Sequence, residues 1–79
     1  RPNPFTDRLT VRYTLPEAVA VRITLLDVLG REVSILASGE HSAGPHEVDL
    51  DAASLPAGLY LVRFEGGTEA RTFRVVKAR

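Results

Sequence analysis

The sequence predicts an all-β protein, a single antiparallel β-sandwich of about six or seven strands. Three observations carry this. Apolar residues recur at every second position in run after run. The runs follow one another at intervals of roughly 8–12 residues, with Gly, Pro and Asp between them. No segment shows a capped helix of period 3.6. At 79 residues the chain supports one modest core, so residues 1–79 are expected to form one domain.

The elements follow in order. Leu9, Val11, Tyr13 and Leu15 alternate with Thr10, Arg12 and Thr14, which gives one apolar and one wet face. Pro16-Glu17 breaks that run. Val19, Val21, Ile23 and Leu25 alternate with Ala20, Arg22 and Thr24. Asp27-Val28-Leu29-Gly30 then fits a type I turn, with Asp27 accepting backbone N–H groups and Gly30 suited to positive φ. Val33 and Ile35 resume a strand whose phase Leu36 breaks, the mark of a bulge. Gly39 to Pro45 reads as a loop, Val48 to Leu50 as a short strand, and Ala52 to Leu55 as one helical turn at most. Pro56-Ala57-Gly58 is a further turn before Tyr60, Val62 and Phe64. Gly66-Gly67 suits a tight hairpin into a last strand with Phe73 and Val75. The expected core is Leu9, Val11, Tyr13, Val21, Ile23, Leu25, Val33, Leu50, Tyr60, Val62, Phe64 and Phe73.

Charge and composition bear on function mainly by exclusion. Ten basic residues balance ten acidic ones, which removes the electrostatic basis for bulk nucleic-acid or membrane-surface binding. With no cysteine there is neither a disulfide framework nor a thiolate ligand or nucleophile. His41 and His46 lie near Glu40, Glu47, Asp49 and Asp51, but strand alternation turns His46 away from Asp49 and Asp51, so no metal site is expected. Gly39 to Gly44 has the glycine spacing of a phosphate-binding loop, yet Pro45-His46 stands where lysine and a hydroxyl residue are needed. No serine lies in a Gly-x-Ser-x-Gly elbow, and no enzyme activity, small-molecule substrate or cofactor is expected. Glu40 to Asp51 carries four acids and no Lys or Arg, whereas Arg71, Arg74, Lys77 and Arg79 face only Glu69 after Gly66. That basic end suits either a partner surface or protection of an exposed edge. In Leu55-Pro56-Ala57-Gly58-Leu59-Tyr60, the glycine two residues before Tyr60 suggests a tyrosine corner.

Taken in order, these motifs resemble the type IX secretion system C-terminal sorting domain. The resemblance runs from Asn3-Pro4-Phe5 through Leu9-Thr10-Val11-Arg12-Tyr13 and Leu15-Pro16 to Val21–Val33, which includes Asp27, Gly30 and Arg31. It continues through Ala43-Gly44-Pro45-His46 and Leu55–Tyr60, with Gly58, and closes on the basic strand, so it covers essentially the whole chain. The sequence is also similar to the Ig-like module of flagellar hook-capping proteins. The resemblance implies an immunoglobulin-like sandwich at the end of a larger exported protein. Such a domain directs a covalently linked N-terminal cargo through the type IX translocon to the cell surface or beyond. A surface sortase commonly removes it and can attach the cargo to lipopolysaccharide. Two departures stand out: Leu26 replaces an aromatic common before the turn aspartate, and Lys77 is the only lysine of an arginine-rich last strand. The candidate recognition residues are therefore Arg71, Arg74, Lys77 and Arg79. The alternative is a passive Ig-like spacer or accessory binding module of an extracellular enzyme. Of the aromatic residues, only Phe5 falls outside the expected core, which argues against sugar recognition by stacking.

Overall fold

The computed structural model describes residues 4–79, and every structural statement below concerns those residues. Seven strands run in chain order: β1 (Pro4–Phe5), β2 (Arg8–Leu15), β3 (Val19–Leu26), β4 (Glu32–His41), β5 (Gly44–Asp51), β6 (Gly58–Gly66) and β7 (Glu69–Lys77). They form a five-stranded sheet of order β1-β7-β6-β3-β4 and a two-stranded sheet of β2 and β5. This all-β, two-sheet arrangement is compatible with an immunoglobulin-like sandwich. Every pairing is antiparallel except β1 with β7.

The core lies between the inward phases of the two sheets. Ile23, Leu25 and Val62 form its centre, from the middle of the larger sheet. Leu9 packs on them from β2, and Phe5, Ala52, Tyr60 and Val75 complete the cluster. Val11, Tyr13, Leu50 and Phe64 are half-buried around it. Ala52 donates its N–H to the Asp7 carbonyl at 2.8 Å, which ties the end of β5 to the β1–β2 corner.

Two expected core residues stand outside it. Val33 is 37% exposed, because β4 carries a second irregularity besides the one expected at Leu36. Ile23 faces Ala37 while Thr24 faces Ile35, so Leu36 is the extra residue of the expected bulge. Leu25 faces Ser34 while Leu26 faces Glu32, so Val33 is a second extra residue and loses the inward phase. Phe73 is 48% exposed although it shares the inward phase with Val75 and pairs with buried Val62. The opposing sheet is two strands wide and stops at β2, so the described residues leave Phe73 only half covered.

The loop expected from Gly39 to Pro45 is also absent. Both flanking strands run long, and Ser42-Ala43 alone joins β4 to β5 across the two sheets. Positive φ at Gly39 and Gly44, +102° and +109°, lets the chain turn this sharply. At the β6–β7 hairpin the two linking residues are Gly67 and Thr68, one position later than Gly66-Gly67.

Candidate functional site

The registers gather the motif segments at one end of the larger sheet. β3 ends at Leu26 opposite Leu61, near the start of β6, and β7 finishes with Lys77 opposite Gly58. β1 lies along the same stretch of β7, with Pro4 opposite Val76 and Phe5 opposite Lys77. The Asp27–Arg31 turn, the Leu55–Tyr60 corner, Pro4-Phe5 and the close of β7 therefore meet there. Gly44 sits at the other end, opposite Leu15. Asn3 lies outside the described residues.

Asp27 organises the turn from inside. Its Oδ1 accepts the N–H groups of Leu29 and Arg31, both at 2.9 Å, and its Oδ2 accepts Arg31 Nε at 2.8 Å. Gly30 takes φ +83° and donates to the Asp27 carbonyl at 2.9 Å. The backbone N–H of Arg31 is the main reason the Asp27 carboxyl titrates below its ordinary value, with the Arg31 side chain and the Leu29 N–H adding to it. A depressed folded-state value means that the turn's contribution is complete above the ordinary carboxylate value of about 4 and is lost as pH falls through the lower one. Thermal unfolding followed from pH 6 downwards should show a weaker acid-side loss of stability in Asp27→Asn than in the wild type. Equal slopes would show that the carboxylate is not coupled to folding.

Tyr60 pins the corner. Its hydroxyl donates to the Pro56 carbonyl at 2.6 Å while its ring is buried against Phe5, with centroids 6.5 Å apart. Gly58 enters the strand at φ +147°, which a side chain would strain. Tyr60→Phe removes only the hydroxyl and leaves the Pro56 carbonyl without it, so a loss of about 1 kcal/mol is expected by chemical denaturation. An unchanged midpoint would remove the corner from the structural argument.

β7 presents its four basic candidates unequally. Arg74 lies on the outer face of the sheet, beside the exposed apolar residues Leu59 and Val76. Arg79 is exposed just past the strand. Arg71 is exposed on the inward phase beyond the smaller sheet and is 3.8 Å from Glu69. Lys77 is only 7% exposed, and its Nζ donates to the Ala78 carbonyl at 3.3 Å. Its stem packs at the closed end of the sandwich, so Arg74 and Arg79 are the cations offered outward. Alternation within β7 would have separated Arg74 from Lys77, but the adjacent pair Val75-Val76 hid the phase.

The histidines reach each other but not the acids. Their ring centroids are 5.2 Å apart, and both rings stack on Tyr13. His41 Nδ1 shares a hydrogen bond with the Tyr13 hydroxyl, and His46 Nε2 donates to the Ser42 carbonyl at 2.7 Å. Burial raises the Tyr13 phenol above its ordinary value. Glu47 and Asp49 face outward instead, held by Arg12 at 2.6 Å and Thr10 at 2.7 Å. Among the described residues, no three His, Asp or Glu side chains come together to hold a metal ion.

The comparison with known families decides what this arrangement belongs to. The model of the secretion system C-terminal sorting domain matches residues 2–78. The chain belongs to that family. Membership makes it a C-terminal sorting signal for type IX secretion, a generally non-catalytic role. It also implies a cargo attached on the N-terminal side and export across the outer membrane. No curated protein and no solved structure matches the chain significantly.

Proposed function

We propose that residues 1–79 act as one self-contained sorting label, read by the type IX translocon at the end of the sandwich where the motif segments meet. Its outward cations there are Arg74 and Arg79, beside exposed Leu59 and Val76. A surface sortase then acts on the exported protein, by cleaving off the domain or using it for attachment. The observation that carries this reading is the family match over residues 2–78, together with the meeting of the Asp27 turn, the Leu55–Tyr60 corner and Pro4-Phe5 at the close of β7. A translocon serving unrelated cargoes needs a label that folds by itself and presents the same surface each time.

The test fuses the domain behind an unrelated periplasmic protein in a host with a type IX translocon. The wild-type fusion should reach the cell surface. The double variant Arg74→Glu, Arg79→Glu should export at least about tenfold less, the loss expected when a buried charge contact is reversed, while its circular dichroism melt stays unchanged. Lys77 is left alone, because reversing a buried residue would unfold the end of β7. Normal export of the folded double variant would remove the basic strand as the recognised feature. Failure of the intact domain to export any cargo would return it to a spacer role.

A further inference from the structure

Phe73 marks a place where the sandwich is incomplete. β2 pairs only with β5, so its other edge is open from Arg8 to Leu15. Among the described residues, β7 is paired with β1 only at Val76 and Lys77, which leaves its edge unpaired from Glu69 to Val75. Between these two edges, among the described residues, runs a groove of about 900 Å³. Leu9, Val11, Phe73 and Val75 contribute to its apolar surface, with Phe5 from β1 and Leu59 and Val76 at its border. Each open edge also carries unpaired backbone N–H and C=O groups.

We propose that this groove accepts one extended segment of a partner protein, added as a third strand along β2, with apolar residues facing inward and acidic residues facing outward. Strand addition supplies the backbone hydrogen bonds, and alternate side chains supply the selectivity. The inward side chains would cover Phe73, which lacks only a packing partner on its own phase. The outward side chains would lie beside Arg8, Thr10 and Arg12, the wet face of β2. On the β5 side those three residues already face Asp51, Asp49 and Glu47. An acidic strand on the open side extends the same alternation of charge across the sheet. Arg8, Arg12 and Arg74 line the groove and no acidic residue does. A second copy of β2 fits less well, because self-pairing would bring two sets of Arg8 and Arg12 onto one face.

The groove shares Leu59, Arg74 and Val76 with the proposed sorting surface, but its test needs no secretion machinery, so the two readings fail separately. The probe is a capped nine-residue peptide in which valine and isoleucine alternate with glutamate and threonine. It is titrated into the isotope-labelled 79-residue domain, with chemical shifts and amide exchange as readouts. Amides along β2 should gain at least about tenfold protection. A peptide of the same composition with the alternation scrambled should give none, and the peptide with lysine for glutamate should bind at least about tenfold more weakly. Phe73→Thr should weaken the acidic peptide about tenfold, as removing a central aromatic anchor does. Should that variant fail to fold, Arg74→Glu, exposed on the adjacent face, should narrow the preference for glutamate over lysine. No protection at about 1 mM peptide, the edge of specific binding, would overturn the proposal, as would equal binding of the scrambled peptide. Sedimentation showing a dimer of the domain that Phe73→Thr dissociates would assign the groove to a second copy instead.

Discussion

Leu25→Ala is expected to remove 2–5 kcal/mol of stability, roughly the cost of truncating a fully buried leucine that its surroundings cannot refill. Leu25 has no exposed surface, and it lies between Val62 on β6 and Ser34 on β4 in the middle of the larger sheet. Backbone pairing on both sides keeps β3 from moving in to close the cavity. A domain of this length holds roughly 4–12 kcal/mol in total, so the variant should lose a large part of its folded population at 37 °C. Val28→Ala is the matched control. That side chain is 60% exposed in the Asp27 turn, so its loss should lie within about 0.5 kcal/mol. Urea titrations of both variants measure the difference. A Leu25→Ala midpoint close to that of Val28→Ala would mean that the core does not centre on β3.

Phe5→Ala should cost about 3 kcal/mol, the lower end of the range for a buried aromatic, because a two-residue strand at a sheet edge has room to relax. Its effect should be local. Phe5 is 7% exposed, its ring lies against Tyr60, and its carbonyl accepts the Ala78 N–H at 2.7 Å. Loss of the ring releases β1, and with it the acceptor that protects Ala78. Amide exchange at Ala78 should accelerate far more than exchange at Leu25 or Val62. Uniform acceleration would show that β1 is cooperative with the whole core.

The period-two runs in β2, β3 and β6 were legible because apolar residues alternate along most of each strand. In β3, Thr24, read as part of the wet face, is buried as well, because the strand lies in the middle of the larger sheet. β4 was half legible. Leu36 interrupts an apolar alternation visibly, whereas Val33 is apolar at an apolar position and its displacement shows only in the pairing with β3. Phe5 and Phe73 were interchanged for one reason. Alternation gives the face a side chain points to, but not whether another strand lies opposite. Phe5 gains cover from the parallel pairing with β7, a long-range contact, and Phe73 lacks full cover because the second sheet is narrow. The turn residues Asp27, Gly30, Gly58 and Tyr60 were readable because their chemistry is local. That they share one end of the sheet with Pro4 and Lys77 follows from strand order, which no local motif encodes.

The parallel pairing of β1 with β7 also determines how the domain answers a mechanical load. Pro4 lies opposite Val76 and Phe5 opposite Lys77, so the two strands point the same way. A pull backwards on Pro4 opposed by a pull forwards on Ala78 slides the strands along each other. It does not peel them apart one bond at a time. In such shear the hydrogen bonds of the pair share the tension, and the buried ring of Phe5 must be dragged out before they yield. Traction on a cargo joined ahead of Pro4, against a grip on the last residues, therefore meets its resistance at the join between the two ends of the chain.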